Sequence, residues 1–280
     1  MQRNIHTFIS CDSEYEKAGI VLFGAPFDGT TSFRPGARFA SKAIRGESFG
    51  IETYSPYQNK DLEDIAVFDG GDLELPFGDA KTSLSQIETF CKKVLNAGKT
   101  PFMIGGEHLV TLGGVAAAAK KYPNLAVIHF DAHADLRNEY LGETLSHATV
   151  MRRCYDILGD GSIFQFGIRS GERQEFLWGK NHVSTNMFNF NTLDEAVQSL
   201  AGRPVYLSID LDVVDPSELA AVGTPEAGGV GFDELLTACL LCSRLNIIGL
   251  DVCELCPVYD GSGVSTAFAC KLIRELLLML

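Results

Sequence analysis

Short, near-continuous apolar runs alternate with helix-like stretches along the whole chain, and this alternation constrains the fold more than any other feature. The strand-like runs are residues 19–24, 65–69, 100–105, 125–131, 162–167, 204–210 and 246–252. Runs that are apolar throughout, rather than at every second residue, belong to parallel sheets covered on both faces. Helical patterns fall at 36–48, 83–97, 109–121, 149–158, 193–200, 232–244 and from 264 onward. Repeated βα units predict a three-layer α/β/α sandwich around a mainly parallel sheet. The 280 residues, 46% hydrophobic, suffice for a sizeable core. No linker-like or low-complexity stretch divides them, so residues 1–280 are expected to form a single domain.

In such sheets, ligands bind beyond the carboxyl ends of the strands. The polar clusters of this chain fall at those places. Gly105-Gly-Glu-His108 follows one strand, Asp131-Ala-His133-Ala-Asp135 a second, Asp210-Leu-Asp212 a third, and Glu254 a fourth. Residues two apart on a strand face the same side, so Asp131 can converge with His133, and Asp210 with Asp212. Four carboxylates brought together repel one another unless cations intervene. Two divalent cations would balance Asp131, Asp135, Asp210 and Asp212. The candidate metal ligands are therefore His108, Asp131, His133, Asp135, Asp210 and Asp212. Carboxylates suit hard ions such as manganese, and imidazole is accepted by manganese, iron, nickel and zinc. Two such ions can share and activate a water. A single Asp at a strand end is ordinarily a cap or turn former; three clusters that sum to a balanced site are not explained that way.

Other signals are weaker. A net charge of −13 argues against nucleic-acid binding, and it is compatible with a small cationic substrate. No apolar run reaches the roughly 20 residues of a membrane span. Residues 1–10 lack the basic and apolar blocks of an export signal, so a cytoplasmic protein is expected. Among eight cysteines, Cys239-x-x-Cys242 and Cys253-x-x-Cys256 mimic zinc spacing. They lie in a predicted helix and at the end of a predicted strand, so buried thiols are the stronger expectation. The glycine-rich segment 24–36 lacks a Gly-Lys-Ser/Thr ending and is not read as a phosphate cradle.

Gly-Gly-Glu-His at 105–108, Phe-Asp-Ala-His-Ala-Asp at 130–135 and Ser-Ile-Asp-Leu-Asp-Val-Val-Asp-Pro at 208–216 resemble the signature blocks of the arginase/agmatinase family of ureohydrolases. The segments beginning Gly24-Ala-Pro-Phe-Asp-Gly-Thr-Thr-Ser-Phe-Arg-Pro-Gly and Phe166-Gly-Ile-Arg-Ser-Gly resemble its agmatinase branch. The resemblance runs from about residue 19 onward. It implies an arginase-like parallel sheet of eight strands, two Mn2+ per chain, and a homotrimer or homohexamer. It implies that one cation takes His108 and Asp135, the other His133 and Asp212, with Asp131 and Asp210 bridging. Asp135 counts among the catalytic groups as well as the ligands. Glu254 matches the family glutamate that grips the guanidinium, and His147 the proton-transfer histidine. Both are expected to touch substrate, together with Thr224. Thr224 and Glu226 match supporting positions; Glu107 reads as a support, and Arg34 as rim or scaffold.

The implied reaction is hydrolysis of agmatine to putrescine and urea, a step of polyamine biosynthesis. The loop 141–147 lacks the Asn- and Ser-containing pattern by which arginases hold an α-amino acid, which favours a decarboxylated substrate. The loop 215–226 lacks the Pro-Gly-Thr common before Gly-Thr-Pro-Glu in agmatinases. Guanidinobutyrate, guanidinopropionate, arginine, guanidine or formimidoylglutamate is the alternative substrate. A catalytically silent binding homologue would normally have lost a ligand, and all six positions are present.

Overall fold

The computed structural model describes residues 1 and 6–280. Residues 2–5, part of the stretch read above for an export signal, lie outside the described residues. Eight strands form one sheet: β1 (Ile20–Gly24), β4 (Val67–Asp72), β5 (Thr100–Ile104), β6 (Ala126–Phe130), β7 (Ile163–Ile168), β8 (Ser184–Met187), β9 (Pro204–Asp210) and β10 (Asn246–Cys253). A small antiparallel hairpin pairs β2 (Tyr54–Ser55) with β3 (Lys60–Asp61). The sheet order is β4-β1-β5-β10-β9-β6-β7-β8. Every pairing in it is parallel.

The helices are α1 (Ala40–Glu47), α2 (Ala80–Asn96), α3 (Thr111–Lys121), α4 (Val150–Leu158), α5 (Arg173–His182), α6 (Leu193–Ser199), α7 (Phe232–Cys242) and α8 (Val264–Met279). Strand alternation distributes them on two faces. Leu22, Ile104, Ile128 and Leu207 pack with α1, α6, α7 and α8. Phe23, Met103, Val127 and Tyr206, one residue away, pack with α2, α3 and α4. This double burial is why the strand sequences are apolar throughout. The expected α/β/α layering is found.

Two elements escape the sequence pattern. β8 reads Ser-Thr-Asn-Met, too polar to look like a buried strand, because it is an edge strand and half exposed. Helix α5 carries few apolar residues; it starts instead on a reciprocal cap in which Glu175 Oε2 accepts from the Glu172 N–H (2.7 Å). The Leu-rich helix α8 packs on its own sheet, with Leu272, Ile273, Leu276 and Leu277 fully buried. The hairpin covers its polar side: Glu275 Oε2 accepts from Ser55 Oγ (2.7 Å) and Gln58 Nε2 (2.8 Å).

All eight cysteines are buried free thiols. Cys239 and Cys242 face the α1/α8 layer and Cys253 the α2/α3 layer, so the four thiols with zinc spacing do not converge. No helix among the described residues is long and apolar enough to cross a membrane.

Candidate metal centre

The four central strands, β5, β10, β9 and β6, deliver the site at their carboxyl ends. After β5 the chain must pass close beneath another loop. A Cβ on Gly106 would lie 1.9 Å from the Phe27 carbonyl oxygen, so glycine is obligatory there. The turn ends in a 3-10 segment, His108–Val110, which leads into α3 and points His108 inward. Asp131, His133 and Asp135 follow β6, Asp210 ends β9, and Asp212 lies in the next 3-10 turn.

These six residues meet. His108 Nδ1 lies 3.0 Å from Asp131 Oδ2, 3.0 Å from Asp135 Oδ2 and 3.4 Å from Asp210 Oδ2. His133 Nδ1 lies 2.9 Å from Asp212 Oδ2 and 3.5 Å from Asp131 Oδ1. Asp131 thus faces both histidines, one through each oxygen. Three carboxylates have one oxygen tied to a backbone N–H: Asp131 Oδ1 to His133 (2.5 Å), Asp210 Oδ1 to Asp212 (2.8 Å) and Asp212 Oδ1 to Ala132 (3.1 Å). The other oxygen of each points into the cluster, as directional ligands require.

Two non-glycine residues of the site, Asp135 and Glu254, hold φ at +53° and +69°. A left-handed backbone costs a side-chain-bearing residue about 1–3 kcal/mol and collects at functional positions. Glu254 Oε1 accepts from the His108 N–H (2.7 Å), which ties this glutamate to the ligand turn.

The electrostatics fit cations. Burial, then Asp212 and Asp131, push the Asp210 carboxyl well up. Burial, then Asp131, push Asp135 up to about 7. Burial opposes protonation of His108, yet Asp131, Asp135 and Asp210 outweigh it and raise the ring well above its usual value. Crowded acids that hold protons, and imidazoles that act as their counter-ions, mark a site whose charge suits metal. The donors are all oxygen or imidazole nitrogen, a hard set. Two groupings emerge, one around His108 with Asp131 and Asp135, the other His133 with Asp212 and Asp131.

The first grouping also contains His129, which is not among the ligands expected from the sequence. Its signal was available: His129, Asp131, His133 and Asp135 are spaced by two, as same-face residues of an extended segment are. Arg169 was also unassigned. Its guanidinium donates to the carbonyls of Asp212 and Glu226 (2.7 Å each) and Val213 (3.1 Å), and so clamps the loop after β9.

Thr224, His147 and Glu254 line, together with His108, His133, Asp135, Asp210 and Asp212, a cavity of about 250 Å³. Thr224 Oγ1 donates to Asp212 Oδ2 (3.2 Å), while Glu226 contributes its backbone carbonyl to Arg169. Glu107 is not in the cluster. Its Oε2 accepts from Thr30 N (2.9 Å) and Thr31 Oγ1 (3.1 Å), which fixes the 28–32 loop. Arg34 lies between the rings of Phe33 and Tyr259, 5.3 and 5.2 Å from their centres, as a scaffold contact. His147 heads the 3-10 turn before α4, with Ser32 Oγ 3.3 Å from its Nε2. It is not the ordinary imidazole expected from the sequence: burial, then His133, lower it to about 4.

The same fold is found in solved structures of known proteins. The arginase family model matches residues 18–279, and the chain belongs to that family of hydrolases. It is 46% identical over 276 residues to the agmatinase of Bacillus anthracis, covering 97% of this chain and 95% of that one. A crystal structure from Clostridium difficile superposes with a TM-score of 0.93 at 48% identity, over 95% of this chain and 98% of that one. The agmatine ureohydrolase of Thermoplasma volcanium superposes with a TM-score of 0.89 at 34% identity, over 99% and 94%.

Proposed function

We propose that the protein hydrolyses agmatine to putrescine and urea, with two divalent cations, manganese by choice, in the centre just described. The observation that carries this reading is the convergence of six metal-type donors at the base of one small cavity, which five of them line together with Glu254. One cation would be held by His108 and Asp135, the other by His133 and Asp212, with Asp131 and Asp210 shared. When bound, the cations supply an activated water and neutralise the carboxylates.

The chain's own groups do the rest. Glu254 is buried, and one carboxylate oxygen is fixed by His108 N–H. The other is free to pair with a planar guanidinium, a charge-assisted contact that orients the carbon to be attacked. Burial, then Glu107, hold Glu254 well above its usual range, so a cationic partner relieves a real electrostatic penalty. His147 is neutral at pH 7, because its ring is lowered to about 4. A neutral imidazole can protonate the departing amine only after it has taken up the proton that the attacking water gives up.

The wall beyond supports a substrate without a carboxylate. Arg137, the arginine on the cavity wall, is already paired: Nη1 lies 3.1 Å from Glu172 and Nε 3.4 Å from Glu175. A cavity below the roughly 300–1,000 Å³ of drug-sized pockets suits a slender guanidino amine.

The test is urea release by manganese-loaded protein from agmatine, arginine, guanidinobutyrate, guanidinopropionate and guanidine, with formamide read for formimidoylglutamate. Agmatine should give the highest kcat/KM. Preference for any other member of the panel would overturn the substrate assignment and keep the chemistry.

A further inference from the structure

One step below the ligands, a row of polar side chains crosses five parallel strands in register. Thr185 of β8 pairs with Gln165 of β7, Gln165 with His129 of β6, His129 with Ser208 of β9, and Ser208 with Asp251 of β10. Gln165, His129, Ser208 and Asp251 are fully buried. The next register partner, Met103 of β5, returns to the apolar core. A buried polar side chain in mid-sheet destabilises the fold unless it is hydrogen-bonded. Four in one row, with Thr185 of the edge strand joining them at one end and two of them lying two residues before Asp131 and Asp210 on their strands, call for a purpose.

The hydrogen bonds have a fixed sense. Gln165 Nε2 lies 2.7 Å from the Ala134 carbonyl, which can only accept, so the amide nitrogen is on that side. Its second hydrogen meets His129 Nδ1 at 3.0 Å, while Gln165 Oε1 accepts from Thr185 Oγ1 (3.1 Å). His129 Nδ1 is therefore an acceptor, and the ring proton sits on Nε2, 2.8 Å from Asp131 Oδ2. At the other end, Ser208 Oγ donates to Asp251 Oδ1 (2.7 Å). A hydroxyl has one hydrogen, so Ser208 accepts from His108 Nε2 at 2.9 Å. In the neutral ring, the form that can hold a cation, that leaves the lone pair of His108 on Nδ1, the atom facing the three aspartates.

We propose that this row sets the tautomers of both histidines: His108 is a metal ligand through Nδ1, whereas His129 is a positioning residue that orients Asp131 by donating from Nε2 and binds no metal. The inference rests on the two-metal reading above. It separates two imidazoles whose ring centres are only 5.0 Å apart and which proximity to the aspartates alone would treat alike.

The experiment compares His129→Gln, whose amide can donate, with His129→Phe, which keeps ring bulk without a donor. Manganese dissociation constants are measured by titration against wild type, with thermal melts as a control for folding. His129→Phe should weaken one site about 10- to 100-fold, the usual cost of losing a ligand's hydrogen-bond partner, and His129→Gln should stay within roughly threefold. Gln165→Leu, which leaves every ligand in place, should weaken the same site several-fold and serves if the phenylalanine variant does not fold. Imidazole nitrogen NMR of zinc-loaded protein should show His129 protonated at Nε2 with no metal-bound nitrogen. Full manganese affinity in both His129→Phe and Gln165→Leu, or a metal-bound nitrogen on His129, overturns the proposal. Failure of wild type to take up manganese sinks the two-metal reading instead.

Discussion

Glu107 Oε1 accepts a 2.5 Å hydrogen bond from the hydroxyl of Thr30. With its hydrogen so committed, Thr30 Oγ1 is left as an acceptor, and it takes the His147 N–H at 3.1 Å. The carboxylate thus positions the histidine through an intermediary 77 residues away in sequence. Thr30→Val removes the link at constant size. It should lower kcat by up to about 100-fold, the scale of a misplaced catalytic group, with metal content unchanged. Steady-state kinetics beside metal analysis check this; unchanged kcat would show that His147 needs no such anchor.

His147→Ala should cut kcat by about 10²–10⁴-fold while both cations stay bound. Because burial lowers this ring to about 4, the wild-type rate should show no limb near pH 6.5 from it. Metal analysis and a pH–rate profile test both statements, and loss of metal from the variant would place His147 in the wrong role.

His133→Asn should weaken one cation without unfolding the chain, since its partners Asp212 and Asp131 keep their backbone hydrogen bonds. Titration should find one manganese per chain where wild type binds two. A variant that still binds two with wild-type affinity refutes the assignment.

The metal-free protein should lose stability as pH rises from 5 to 8. Burial raises Glu107 and Asp135 to about 7 in the folded state, whereas the unfolded chain releases those protons near 4. Over this window the folded state binds more protons, so its advantage is full below about pH 4 and fades as pH passes about 7. Bound cations should flatten the part due to Asp135. Thermal melts across pH, with and without manganese, give the comparison; a metal-free Tm that rises with pH contradicts it.

Gly106→Ala should be among the most damaging small substitutions. Its Cβ would fall 1.9 Å from a backbone oxygen that already accepts from the Glu107 N–H, and backbone on both sides has little room to yield. Overpacking there should cost about 3 kcal/mol or more. A wild-type Tm would show that the loop can move aside.

Seven of the eight sheet strands and the six-donor cluster were legible because they rest on local pattern: unbroken apolar runs, and acids at their ends. The eighth strand was not, since Ser184 to Met187 owes its place to the edge of the sheet and not to an apolar face. The polar row was hidden for a different reason. Gln165, Ser208 and Asp251 each look like an isolated polar residue in an apolar run, and only strand register places them beside His129. The Glu107–Thr30–His147 chain is likewise a product of three distant loops. His129 alone was readable, from the two-residue spacing it shares with three of the ligands.

The late position of β10 in the chain has a kinetic corollary. Residues up to Ile104 can assemble β4-β1-β5, and residues from Ala126 to Asp210 can assemble β9-β6-β7-β8, but only β10 joins these halves. During translation each half would wait with an open edge, a state prone to mispairing. Ribosome-stalled chains ending near residue 245 should therefore remain protease-sensitive, and resistance should arrive abruptly once the keystone strand has emerged.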